Sequence, residues 1–271
     1  MKTNTILLTI LIALLGIGFN ACDKIEGNPY ETIQDTGTTI DGDTVKRVLL
    51  IEFTGHRCTN CPQAHQQLQI LSETYGERII PIAIHSGYYS DTTTTYPTNY
   101  TTPFGDNLTT LLNIDLYPRG VVGSLNKDAQ KPLAEWAEAV AIEKDIPTTM
   151  AINIESSIEN NTVISKATIT NTKPEIALND LKLYAVLVED SVVSAQLNNG
   201  QLITDYVHNH VVRHGFTSHL GEPFVLNSES KFIYNFPVAI HSSWRAKKLS
   251  VVVFVTSEEN KIIQAAYKHI E

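Results

Sequence analysis

Two cysteines spaced as Cys-Thr-Asn-Cys, Cys58 and Cys61, are the residues of this chain best suited to chemistry. In such a pair one thiolate attacks a disulfide sulfur. The second, about a helical turn away, resolves the mixed disulfide that forms. The flanking residues favour that use. An apolar run, Val48-Leu49-Leu50-Ile51-Glu52-Phe53, precedes the pair, and a helical pattern led by Pro62 follows it. Cys58 therefore falls at or just before a helix N-terminus, where free N–H groups and the macrodipole stabilise a thiolate. His56 and Arg57 add positive charge beside it, and Cys61 is the natural resolving partner. Zinc needs a second pair of ligands. No second CxxC exists, and His56, His65 and His85 are the histidines near enough to consider. A static disulfide that never turns over is the open alternative.

The elements that must position this pair are legible around it. The apolar run reads as a buried parallel strand. Pro62 suits a helix start, Ala64, Leu68, Leu71 and Tyr75 keep a helical period, and Gly76 suits the helix end. Residues 78–84 (RIIPIAI) read as a second strand, and residues 86–105 as a long Thr/Tyr/Pro-rich insertion with four tyrosines. Leu116-Tyr117-Pro118-Arg119-Gly120-Val121-Val122-Gly123 reads as a proline followed by a strand. Residues 127–144 read as a closing helix with Leu133, Trp136, Ala137 and Val140 on one face.

The strand–CxxC–helix order, with Glu52 six residues before Cys58 and Pro118 ahead of a later strand, resembles the thioredoxin superfamily. The resemblance implies a buried acid at Glu52 that assists proton transfer at the second cysteine. It also implies a cis-proline at Pro118 facing the CxxC, which aligns a substrate backbone and generally excludes metal. No metal and no cofactor is expected. Tyr117, His56 and Arg57 flank these groups and are the expected substrate contacts. The chain departs from thioredoxins in having Thr-Asn between the cysteines and no Trp-rich stretch before them.

From residue 148 onward the pattern changes to strand after strand. Residues 150–157, 163–170, 181–189, 206–212, 231–237, 249–257 and 262–267 are seven candidates, many alternating apolar and polar residues. Seven short strands at regular spacing predict a β-sandwich of immunoglobulin-like type. Pro147 ends the preceding helix. The expected architecture is thus an α/β thioredoxin-like domain over 45–146, with its insertion at 86–105, followed by an all-β sandwich over 147–271. Within residues 206–214 (YVHNHVVRH), His208 and His210 would share one strand face, with His214 nearby, though no acid completes a metal triad.

The first 21 residues read as a signal peptide, with Lys2 ahead of an apolar stretch at residues 6–17. Ala21-Cys22 resembles the lipobox of bacterial lipoproteins, which implies lipidation of Cys22 and a membrane anchor. Residues 22–44 read as a flexible tether. A net charge of −9 with no basic run argues against nucleic-acid binding. Lipobox, FTGHRCTNCP and YVHNHVVRH together resemble the twenty-eight-kilodalton outer-membrane lipoproteins of Gram-negative bacteria. That resemblance implies an outer membrane lipoprotein, facing the periplasm or the surface. The expected activity is thiol–disulfide exchange on an envelope protein partner. The alternative is a non-catalytic lipoprotein for adhesion or protein binding, with the CxxC as a fixed staple.

Overall fold

The computed structural model describes residues 44–270; the signal segment, Cys22 and nearly all of the expected tether lie outside them. The chain is mostly β. Strand β1 (Val48–Thr54) leads through the CxxC loop into helix α1 (Cys61–Tyr75), and strand β2 (Ile79–His85) returns parallel to β1. Helix α2 (Pro103–Leu111) starts in the last residues of the insertion, with the Thr102 hydroxyl accepting from the Gly105 N–H as its cap. Strands β3 (Arg119–Val122) and β4 (Gln130–Lys131) come next, then helix α3 (Trp136–Glu143).

The remainder is strand: β5 (Met150–Glu159), β6 (Thr162–Asn171), β7 (Lys182–Glu189), β8 (Val192–Asn198), β9 (Gln201–His208), β10 (Val211–Gly215), β11 (Glu222–Pro223), β12 (Lys231–Ala239), β13 (Leu249–Thr256) and β14 (Ile262–His269). The expected closing helix over 127–144 is shorter than its periodicity suggested. Pro132 cannot continue a hydrogen-bonded helix. The residues before it form a short turn and β4, which pairs with β3 instead.

One sheet runs through the molecule in the order β14-β13-β7-β10-β2-β1-β3-β4, with β11 on β7. Strands from both sides of Pro147 share it, meeting where Val211 pairs with Ala83 and Ala83 N–H donates to the His210 carbonyl at 2.8 Å. Both faces are covered, so β1, β2 and β13 are buried at every residue. On one face Ile51, Phe53, Ile82, Val186 and Phe254 pack with Phe104 and Leu108 of α2. On the other, the β1 end meets α1 and α3 through Val48, Leu50, Leu68 and Trp136. The β7–β13 end of that face meets the separate sheet β12-β6-β5 as a sandwich, through Leu187, Val253, Ile152 and Ile169. Strands β8 and β9 form a third, two-stranded sheet.

Alternation along β1 decides what faces α1. Val48 and Leu50 do, so Glu52 and Thr54 do as well. Glu52 pairs across the sheet with Gly120, where a side chain would collide with the Nε1 edge of the fully buried Trp136 indole. That indole is held by its own bond to the Lys131 carbonyl. Gly120→Ala is expected to destabilise the fold by about 1–3 kcal/mol in urea unfolding. An unchanged midpoint would mean that the indole yields freely.

Candidate functional site

Cys58 and Cys61 are joined as a disulfide at the start of α1, with Asn60 as the residue before the helix and Pro62 in its first turn. A tight turn, Cys58 N–H to the Gly55 carbonyl at 3.0 Å, sets Cys58 above the helix start. Both cysteines are buried, at 2% and 0% exposure. The β8–β9 hairpin is docked on the loop that carries them. Leu197 N–H donates to the His56 carbonyl at 2.8 Å, and Asn199 N–H to the Thr59 carbonyl at 3.1 Å. Gln196 Nε2 donates to the Cys58 carbonyl at 3.0 Å, and Gly200 N–H to Thr59 Oγ1 at 2.8 Å.

Sequence reasoning missed this hairpin, although its signal was present. Asn199-Gly200 links Asn198 to its partner Gln201, both with positive φ, as a tight two-residue hairpin loop requires. The expected strand over 206–212 is in fact two. Tyr206 and His208 end β9, and Val211 starts β10. Between them His210 takes φ 58°, its N–H donates to Asp190 Oδ1 at 2.7 Å, and Asn209 Oδ1 accepts from the Ser191 N–H. His208 and His210 therefore do not share a strand face, and the metal-pair arrangement is not formed. Among the described residues no group of three His, Cys, Asp or Glu side chains could hold a metal ion.

The other expected site residues fall at the same end of the sheet. The Tyr117–Pro118 peptide bond is cis. Arg119 pairs with Phe53, so Pro118 falls level with Thr54, the last residue of β1, next to the start of the CxxC loop. The Tyr117 hydroxyl bonds Ser86 Oγ at 3.0 Å, and burial pushes its pKa up. Arg57 is clamped to the insertion, with its guanidinium 4.3 Å over the Tyr88 ring and bonded to the Tyr88 carbonyl. His56 is fully buried, stacked on Tyr96 and bonded to the Asp91 carbonyl at 3.1 Å. Burial lowers its pKa, so at neutral pH it brings a ring and not the charge its position suggested.

Glu52 is 0% exposed. Its Oε1 lies 3.2 Å from His65 Nε2, within ion-pair distance, yet neither carboxylate oxygen has an aligned protein donor. Beyond His65 a set of rings continues inward. Tyr206 and His208 are 5.0 Å apart between centroids, His208 and His85 5.6 Å, and His85 and Tyr100 4.6 Å. No nitrogen of His85 or His208 has an aligned protein partner.

Fold and site together define a mostly β protein with one CxxC disulfide on a loop against which a hairpin docks. The chain belongs to the Omp28 outer membrane protein family, whose model matches residues 106–271. The matched span takes in Pro118, the hairpin and the sandwich, and begins after the CxxC loop. Membership assigns the chain to the outer membrane. No helix among the described residues is long and apolar enough to cross a membrane. Two solved structures share the fold. HBP35 of Porphyromonas gingivalis is 18% identical, with 85% of this chain and 77% of that one covered at a TM-score of 0.66. Protein AGR_C_4864 of Agrobacterium tumefaciens is 11% identical, with 83% and 95% covered at a TM-score of 0.53. No curated protein matches the chain.

Burial sets a pH dependence. It holds His85 and His208 well below the ordinary histidine range, with the neighbouring rings adding to the effect, and it lowers His56 and His214 in the same direction. The unfolded chain takes up these protons below about pH 6.5 and the folded chain does not. Stability is therefore full above that value and falls as the pH drops through it. The slope is up to about 1.4 kcal/mol per pH unit for each deeply buried ring. Urea unfolding is expected to show the protein less stable at pH 5 than at pH 7, with a shallower fall in His208→Gln. Equal stability at the two values would contradict the burial of neutral rings.

Proposed function

We propose that this outer membrane protein carries out thiol–disulfide exchange on envelope proteins through a thioredoxin-like CxxC site. The β7–β13–β14 and β12–β6–β5 sheets would serve as an immunoglobulin-like module that engages the partner. The observation that carries this reading is a convergence at one sheet end. A CxxC disulfide at a helix N-terminus, a buried acid on the strand before it and a cis-proline at the adjacent strand all meet there. A structural staple has no need of the acid or of the proline.

In this reading a thiolate of a substrate dithiol attacks Cys58 Sγ, and the bond to Cys61 breaks. Cys61 leaves with the electron pair and takes up a proton. The substrate's second thiolate then attacks its own sulfur in the mixed disulfide, and Cys58 leaves as a thiolate stabilised by the start of α1. The substrate loses two electrons and becomes a disulfide, while the CxxC pair gains them. The reverse sequence reduces a substrate disulfide. Because both cysteines are buried, the site must open for either direction.

One observation favours the other reading, a binding module with a fixed disulfide. Both sulfurs are covered, and the hairpin bonds directly to their loop. Trapping separates the two readings. Cys61→Ser expressed in the envelope is expected to accumulate mixed disulfides through Cys58 that the Cys58→Ser/Cys61→Ser double variant lacks. Gln196→Ala, which removes a bond from the hairpin, should raise their yield several-fold. Glu52→Gln, in a chain with both cysteines, should slow resolution by about tenfold or more. A Cys61→Ser variant that captures nothing, with or without Gln196→Ala, would leave the fixed-disulfide reading in place.

A further inference from the structure

Beside the buried acid of this site stands a histidine that can exchange a proton with it. Glu52 is fully buried without an aligned donor, and His65 Nε2 is 3.2 Å from it. His65 stands four residues after Cys61, so the two share a face of α1, and that face lies over Glu52 and Thr54. The His65 side chain is 20% exposed, whereas Glu52 is 0% exposed. The ring is thus the solvent-facing member of the pair.

The other ring nitrogen, Nδ1, lies 2.7 Å from the hydroxyl of Tyr206, which belongs to β9 of the hairpin. Burial pushes the Tyr206 pKa upward, so its hydroxyl keeps its proton. With that hydroxyl donating to Nδ1, the ring proton sits on Nε2. There it bonds to Thr54 Oγ1 at 3.1 Å, with Glu52 Oε1 standing 3.2 Å away, in reach after a small turn of the ring.

Resting on the exchange reading above, we propose that His65 and Tyr206 are positioning residues for the Cys58–Cys61 reaction. His65 refills and empties the proton that Glu52 passes to Cys61, and Tyr206, standing on the hairpin, holds the ring in the orientation that does so. The step balances. When the S–S bond opens, Cys61 leaves with the electron pair and takes one proton from Glu52, which becomes a carboxylate. The Nε2–H of His65 then faces that carboxylate, and water returns one proton to the pair through the ring. In the closing direction the same proton leaves by the same route.

The remaining groups around the ring do not compete for this role. His208, 6.4 Å away between centroids, and His85 behind it are neutral at working pH. Arg213 lies over Tyr100 and is paired with Glu189, and His56 is bonded to the Asp91 carbonyl. Because Tyr206 belongs to the hairpin, seating the hairpin and setting the ring are one event.

The test uses the mature full chain, oxidised, as wild type, Tyr206→Phe and His65→Gln. Nitrogen-15 NMR of the His65 ring at about pH 9, above the histidine range, reads the tautomer. The rate of disulfide reduction by dithiothreitol is followed against pH. The wild type is expected to carry the Nε2–H form, and Tyr206→Phe to lose that preference. His65→Gln is expected to be reduced about tenfold more slowly near neutral pH, with a displaced rate inflection, and Tyr206→Phe to fall between. Tyr206→Phe keeps the aromatic ring and decides the matter if His65→Gln does not fold. Superimposable pH profiles in all three proteins, with the tautomer unmoved by Tyr206→Phe, would overturn the proposal and leave the exchange reading intact. A wild-type disulfide that dithiothreitol cannot reduce at any pH would overturn both.

Discussion

A buried carboxylate, Glu189 at the end of β7, fixes the point from which the β8–β9 hairpin springs. Its Oε2 pairs with Arg213 Nε of β10 at 2.8 Å, and its Oε1 accepts from the Arg245 backbone N–H at 2.9 Å. Arg245 also reaches the Asp190 carbonyl. Burying such a pair gains little by itself, but removing one partner would leave a charge without compensation in the interior. The clamp therefore holds β10 beside β7, and β10 in turn docks on β2. Everything between Glu189 and Val211 is an excursion from that clamped edge. Asp190 and Asn209 close its base, and its tip lands on the CxxC loop.

This arrangement makes the two ends of the hairpin mechanically different. The base is tied by buried charge and side-chain bonds. The tip is tied by a few hydrogen bonds to the Cys58 loop, and among the described residues β8 and β9 pair with no strand but each other. Local opening free energies are lowest where few bonds and little apolar burial hold a segment. The acid and proline of the site stand on the continuous sheet, outside the hairpin.

Much of the scaffold is legible in the residues. The apolar run ending in Phe53 is strand β1 because both of its faces are buried, and Ala64, Leu68 and Leu71 line the inner face of α1. Six of the seven strand candidates after Pro147 coincide with observed strands to within a few residues. The failures have physical causes. Residues 192–208 alternate weakly because the hairpin packs on a polar loop and on rings, not on an aliphatic core. The run 206–212 looks like one strand because the turn at Asn209–His210 lies within an otherwise β-like sequence. The partners of the site are the least legible of all. Gln196 and Cys58 stand 138 residues apart, and Tyr206 and His65 stand 141 apart, so only the tertiary fold brings them together. The one local clue was the four-residue spacing of His65 from Cys61.

The central claim is that the buried disulfide is a working one. Its most direct test is the reduction potential of the Cys58–Cys61 pair in the mature protein, equilibrated in glutathione or dithiothreitol buffers and read by thiol trapping. A pair whose reduced form is stabilised at a helix N-terminus is predicted to lie between about −120 and −270 mV, the range of exchange proteins. A value below about −300 mV, with Cys58 unreactive to alkylation after reduction, would contradict the account and mark a structural disulfide.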